Sequence, residues 1–175
     1  MTRVRCLVAL LALTLPPVAR ADERLDHRGA LGLVIAPGLE YAALSFAPGE
    51  SIHDAVGLVV EVDPTFGLGS DGNELVLRLR VTQGSPGGVG FGIGAAYRAY
   101  FGRDEWKTYF QLGLKADTAP HLAVGPAADF GLMYELSPAI GFFLQPGLSV
   151  EFGRGVRFGA GALVGIQGRT YVLEQ

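Results

Sequence analysis

The side chains that could perform metal or nucleophilic chemistry are few in this sequence and lie far apart. The three histidines are His27, His53 and His121, and no two of them have the spacing of metal ligands. Ser51, His53 and Asp54 could supply a nucleophile and its base, but no neighbouring residue is placed to orient the base. We therefore predict no catalytic residue, no metal site and no cofactor, and we interpret the protein as not being an enzyme.

The glycine-rich run Gly90–Gly94 is not a phosphate loop, because no strand–loop–helix pattern surrounds it. It lies within Gly88–Phe101, where two kinds of residue alternate strictly. Odd positions are apolar or aromatic, whereas even positions are glycine or alanine until Arg98. This period of two predicts a strand, and the strand is long compared with the roughly five or six residues usual in soluble proteins.

The same alternation recurs along the chain and predicts eight strands joined by short turns. The predicted strands are 31–41, 56–63, 74–82, 89–101, 106–117, 121–135, 140–152 and 156–169. Short connections force neighbouring strands to be antiparallel, and an even number of such strands can close into a barrel without edges. The longest connection is 45–54. Pro126 and Pro146 fall inside strands, where each predicts a bulge or kink.

Residues 1–21 have the pattern of a cleavable secretory signal peptide, with Arg3 and Arg5 ahead of a short apolar run and Ala21 before the cut. Residues 22–175 would then form one domain. The only cysteine, Cys6, lies in the leader, so the exported chain would carry no disulfide and no lipid anchor.

Composition narrows the class of protein further. Hydrophobic residues make up 49% of the chain and charged residues 18%, below the ~25% typical of soluble domains, while glycine accounts for 26 of 175 residues. No apolar run after the leader reaches the length of a membrane-spanning helix, so a membrane protein with this sequence would be a barrel. The loss of Arg3, Arg5 and Arg20 with the leader leaves 11 basic residues against 17 acidic ones, which argues against nucleic-acid binding.

The charged residues of the predicted strands share the face opposite the apolar one, and we predict that they line a narrow lumen. Seven basic and six acidic side chains could pair there in a buried network. The predicted network consists of Glu61, Asp63, Arg78, Arg80, Arg98, Lys107, Lys115, Asp117, Asp129, Glu135, Glu151, Arg157 and Arg169. The apolar face would then contact lipid. A soluble barrel of the lipocalin type, with its apolar face inward around an apolar ligand, is the alternative.

Aromatic residues gather near the turns that follow even-numbered strands, which are periplasmic in outer-membrane barrels. They predict an interfacial girdle formed by Tyr97, Phe101, Trp106, Phe110, Tyr134, Phe142 and Tyr171.

In its leader, size, strand number and turn parity, the chain resembles the small OmpA/OmpX-type eight-stranded outer-membrane barrels. The resemblance covers essentially the whole exported chain and rests on pattern rather than on a diagnostic motif. It implies location in the outer membrane of a Gram-negative bacterium, contact with outer-membrane lipid and insertion by the barrel-assembly machinery. Many such barrels end in an aromatic residue that the assembly machinery recognises. This chain departs from that pattern, because its last aromatic residue, Tyr171, lies four residues from the end.

Three functions are compatible with these patterns. The first is a structural or surface-interaction role in the envelope, with a lumen plugged by charges. The second is a narrow channel for ions or small polar solutes, favoured because lumenal glycines would leave unfilled volume. The third is the soluble carrier. We also expect Ile93→Arg to block membrane assembly far more than Gly92→Ala, since only residue 93 would face lipid.

Overall fold

The computed structural model describes residues 29–45, 53–68, 72–85, 88–102, 105–118 and 121–171. They form eight strands: β1 (Ala30–Ser45), β2 (His53–Leu68), β3 (Asn73–Ser85), β4 (Gly88–Phe101), β5 (Trp106–Asp117), β6 (Ala123–Ser137), β7 (Ile140–Phe152) and β8 (Val156–Tyr171). All eight predicted strands are confirmed, whereas the predicted leader, 1–21, lies outside the described residues. Within those residues there is no helix of the length and apolarity that crossing a membrane requires.

The strands close into an antiparallel barrel in which β1 pairs with β8. The cross-strand partners of Gly32 run once round the barrel through Thr65, Val76, Ala96, Gly113, Ala127, Ser149 and Gly159, and return at Ala42, ten residues further along β1. With a rise of ~3.3 Å per residue and a strand spacing of ~4.8 Å, this stagger gives a tilt of about 40° and a backbone radius of about 8 Å. A barrel this narrow has room inside only for side chains.

The two faces of each strand are sharply different. All eight strands expose large apolar side chains outward, such as Ile93, which is 63% exposed. Inward-facing charged side chains are buried, and Arg98 is 0% exposed. The predicted orientation is therefore confirmed. A lipocalin-type barrel needs the reverse arrangement, so the structure contradicts that alternative.

The outer apolar band has the height that a membrane barrel requires. On β4, Phe91 and Phe101 face outward and are ten residues apart. At a tilt of about 40° those residues rise about 25 Å along the barrel axis, which matches the ~25 Å apolar band of outer-membrane barrels.

Of the bulge or kink predicted at Pro126 and Pro146, the bulge is absent at both prolines. Pairing between β6 and β7 keeps one register on both sides of each proline and shifts only between Glu135 and Ser137. Pro126 still lies opposite Leu114 on β5, and Pro146 lies opposite Ala162 on β8. A proline in a strand removes a ladder hydrogen bond but inserts no residue, so the register continues past it.

Candidate functional site

The lumen is the part of the molecule where polar chemistry is concentrated. All thirteen charged residues predicted to line it are buried there. The predicted network did not include two further carboxylates, Glu40 and Glu74, which both form ion pairs in the lumen. The described lumen therefore holds eight carboxylates and seven cations, arranged in three tiers along the barrel axis.

The lower tier lies at the end of the barrel where β1 begins and β8 ends. Arg169 joins two carboxylates, with Nε 3.0 Å from Glu74 and Nη1 2.6 Å from Glu135. Lys107 Nζ lies 2.8 Å from the second oxygen of Glu135, and Arg98 Nη1 lies 3.3 Å from Glu74. Each carboxylate is thus shared between two cations, which offsets the cost of burying it.

An aromatic layer lies over the lower tier. The Tyr109 side chain is fully buried, and its ring centroid lies 6.4 Å from that of Phe143 and 5.5 Å from that of Tyr100. The guanidinium carbon of Arg98 lies 4.5 Å from the Tyr109 ring centroid, the geometry of a cation–π interaction. The Tyr109 hydroxyl donates a hydrogen bond of 2.6 Å to Gln145. These contacts hold the Tyr109 ring in one orientation across the lumen.

The middle tier is organised around Arg78. Its Nη2 lies 3.0 Å from Glu61 on the neighbouring strand, and its Nη1 lies 2.8 Å from Asp129 across the lumen. The Gln111 amide donates to Asp129 at 3.2 Å, and its oxygen accepts a hydrogen bond of 2.8 Å from Arg98. Gln111 therefore links the middle tier to the lower one.

The upper tier contains equal numbers of cations and carboxylates: Arg80, Lys115 and Arg157 with Glu40, Asp117 and Glu151. Arg157 lies 3.0 Å from Glu40 and 3.1 Å from Asp117, and Lys115 lies 2.9 Å from Glu151. The three carboxylates each place an oxygen within 4.8 Å of the others, a spacing that could hold a metal ion. The three cations in the same tier already balance that negative charge, so the arrangement is an ion-pair cluster.

At the lumenal glycines, side chains from neighbouring strands occupy the space that a Cβ atom would need. A Cβ atom at Gly131 would overlap the Tyr109 ring, and one at Gly147 would overlap the Asp129 carboxylate. A Cβ at Gly92 would meet Asp117 and the Arg80 stem. The expectation that these glycines leave unfilled volume is therefore wrong.

A cavity of about 30 Å³ remains between the middle and upper tiers, lined among others by Glu61, Arg80 and Ser149. Since a water molecule needs roughly 10–15 Å³ of such space, the cavity can hold about two waters.

The residues predicted for the aromatic girdle lie at the lower rim. Tyr97, Phe101, Trp106, Phe110 and Phe142 are exposed on the outer face. Trp106 packs against Tyr134, with ring centroids 4.9 Å apart. Tyr134 and Tyr171 are half-buried, and the Tyr171 hydroxyl at the end of β8 donates a hydrogen bond of 3.0 Å to the Pro138 carbonyl.

The residues considered for catalysis contribute little to the described structure. His27, Ser51 and the side chain of His53 lie outside the described residues. Asp54 belongs to β2 rather than to a loop, and its carboxylate accepts a long hydrogen bond of 3.4 Å from Tyr41. His121 precedes β6 and is half-buried.

Comparisons with known proteins bear on the fold alone. No protein-family model matches the sequence, and no curated protein matches it. Among solved structures, the chain is similar to neisserial surface protein A (NspA), with a TM-score of 0.64 and 14% identity over 82% of this chain and 100% of that one. It is also similar to the N-terminal barrel of OprF from Pseudomonas aeruginosa, with a TM-score of 0.52 and 17% identity over 82% of this chain and 98% of that one. The outer-membrane protein OprG of P. aeruginosa gives a TM-score of 0.50 and 11% identity over 86% of this chain and 100% of that one. The chain thus has the fold of the small outer-membrane barrels, as the strand pattern predicts.

Proposed function

We propose that the protein is an outer-membrane barrel whose lumen is closed by its own side chains, with a structural or surface-interaction role in the Gram-negative envelope. The observation that carries this proposal is the filled lumen, in which three tiers of ion pairs and an aromatic layer leave a cavity of only about 30 Å³ between the middle and upper tiers. The protein is not an enzyme and needs no cofactor. Its partners are outer-membrane lipid and the barrel-assembly machinery that inserts it.

The outer surface supports the membrane location. Monomeric soluble proteins rarely expose apolar patches larger than a few hundred Å², whereas here the apolar surface surrounds the barrel on all eight strands. Burying such a band in hydrocarbon is favourable by ~25 cal/mol per Å². The charged residues face the interior, where they avoid contact with lipid.

The ion pairs support a closed lumen. An ion that crossed the barrel would have to separate Arg78 from Glu61 or Asp129, since these side chains span the middle tier. Breaking one buried pair of this kind costs about 3–5 kcal/mol. The tiers above and below add further pairs in series, so the resting barrel should not conduct.

Planar-bilayer recording tests this proposal. Protein that shows heat-modifiable gel mobility, and is therefore folded, should give no steady openings at moderate voltage. Arg78→Ala, which enlarges the cavity and removes the central cation, is the matched variant and should leak more than the wild type. Steady, reproducible openings of the wild-type protein would contradict the closed lumen and favour the narrow channel.

A further inference from the structure

One lumenal carboxylate differs from the others in its ion pairing. Seven of the eight carboxylates have a cation within ion-pair distance: Glu40, Glu61, Glu74, Asp117, Asp129, Glu135 and Glu151. Asp63 on β2 has none among the residues that the structure describes, although it is only 2% exposed. The seven lumenal cations are thus matched by seven carboxylates, and Asp63 is left over.

The charged groups that act on Asp63 form their ion pairs and hydrogen bonds with other residues. Those that act on it are Glu61 on its own strand, Arg78 on β3 and Arg98 on β4. Arg78 donates to Glu61 and Asp129. On the β1 side, Asp63 lies opposite Val34, which is apolar and buried.

The two arginines that act on Asp63 form ion pairs with other carboxylates, and Arg98 Nη2 has no hydrogen-bond partner among the described residues. Arg98 donates to Gln111 through Nε and to Glu74 and Gln167 through Nη1. Asp129 is an ion-pair partner of Arg78, and Glu74 is an ion-pair partner of Arg98.

The hydrogen bond that Asp63 accepts does not require a negative charge. Its Oδ1 accepts the backbone N–H of Leu79 at 3.3 Å. The ladder between β2 and β3 is interrupted beside it, from Val62 to Pro64, so this oxygen satisfies an N–H in the break. The carbonyl oxygen of a neutral carboxylic acid retains the capacity to accept that bond.

We propose that Asp63 is a resident proton site, and that its carboxyl group is protonated in the folded barrel at neutral pH. The lumen then contains seven anions and seven cations and no buried charge without a partner. This inference rests on the proposed closed lumen, because water in an open lumen would hydrate the carboxylate and remove the need for a proton.

Infrared spectroscopy of the folded protein in vesicles tests the proton directly. At neutral pH the wild-type spectrum should contain a C=O band from a protonated carboxyl group, with the intensity expected of one residue. The spectrum of Asp63→Asn should lack this band. Its absence from the difference spectrum would overturn the inference. Conductance of the same wild-type sample separates the two proposals, because steady openings contradict the closed lumen, whereas a silent barrel without the band contradicts only the proton on Asp63.

Unfolding midpoints give a second readout. Asparagine is neutral at every pH and retains an oxygen for the Leu79 N–H, so at neutral pH Asp63→Asn should unfold at a urea concentration no lower than that of the wild type. Asp129→Asn, which removes an Arg78 partner, should unfold at a lower concentration. A midpoint for Asp63→Asn as low as that of Asp129→Asn would show that the Asp63 charge stabilises the barrel, contrary to the inference.

A proton on Asp63 also determines whether the stability of the barrel rises or falls with pH. The folded chain keeps a proton on Asp63 that the hydrated, unfolded chain releases, so rising pH favours the unfolded state. Wild-type stability should therefore fall more steeply than that of Asp63→Asn as the pH rises from mildly acidic to neutral and above. Identical pH profiles for the two proteins would contradict the proton on Asp63.

Discussion

Replacing Gly131 by alanine should destabilise the barrel strongly, because the new methyl group and the Tyr109 ring would occupy the same space. Gly131 and Tyr109 are direct cross-strand partners on β6 and β5, and both face the lumen. The ring cannot move outward, since it is fully buried and packs against Phe143 and the Arg98 guanidinium.

The size of the effect follows from the contacts that the displaced ring would lose. Overpacking a filled core costs about 1–3 kcal/mol, and a desolvated cation–π contact is worth up to about 2 kcal/mol. The hydrogen bond from Tyr109 to Gln145 contributes about 1 kcal/mol. Because these losses overlap, we expect Gly131→Ala to lower the free energy of unfolding by about 3 kcal/mol.

Urea unfolding in phospholipid vesicles, followed by the fluorescence of the single tryptophan, Trp106, measures this change. Gly168→Ala is the control, because a Cβ atom at that position would have no neighbouring atom within 4 Å, and it should change stability by no more than ~0.5 kcal/mol. In a Tyr109→Leu background the ring is absent, and Gly131→Ala should cost much less. An equal cost in both backgrounds, or a cost no larger than that of the control, would refute the overlap of ring and methyl group.

Other substitutions test the two faces and the ion pairs. Ile93→Arg should abolish heat-modifiable gel mobility, since arginine on the lipid-facing surface costs up to about 2–4 kcal/mol, whereas Ile93→Val should retain it. Gly92→Ala should assemble but unfold at lower urea, by about 1–3 kcal/mol, because its Cβ meets lumenal side chains rather than backbone; wild-type stability would show that those side chains move aside freely. Arg78→Gln should lower the free energy of unfolding by about 3–5 kcal/mol, and Arg154→Gln in the exposed turn by ~0.5 kcal/mol or less. Similar losses for both arginines would contradict the role of the middle tier.

The face of each residue could be predicted because the period of a strand is local. The alternation of inward- and outward-facing residues was enough to predict that Arg78 and Asp129 lie in the lumen. The same alternation also predicts that Glu40 faces inward. Leu39 and Tyr41 face outward, so the residue between them must face inward. Glu40 lies just beyond Pro37-Gly38, a pair of residues that disfavours a strand, but β1 continues through them.

The pairing of charges across the lumen could not be predicted from the sequence. Arg78 and Asp129 lie on β3 and β6, and they meet only because of the stagger between strands that are not neighbours. No local pattern encodes that stagger. The contacts at the glycines could not be predicted either. A sequence shows that Gly131 lacks a side chain, but not that the Tyr109 ring lies over it.

The opposite exposure of two adjacent alanines on β4 tests the central claim most directly. Ala95 faces outward, whereas Ala96 faces the lumen and is 3% exposed. In a chain lacking Cys6, Ala95→Cys folded in vesicles should react with a lipid-soluble alkylating reagent and not with a charged, water-soluble one. Ala96→Cys should react with neither reagent until the barrel is unfolded. Reaction of Ala96→Cys with the water-soluble reagent would show a water-filled lumen, and its reaction with the lipid-soluble reagent while Ala95→Cys stays protected would show that the faces are reversed.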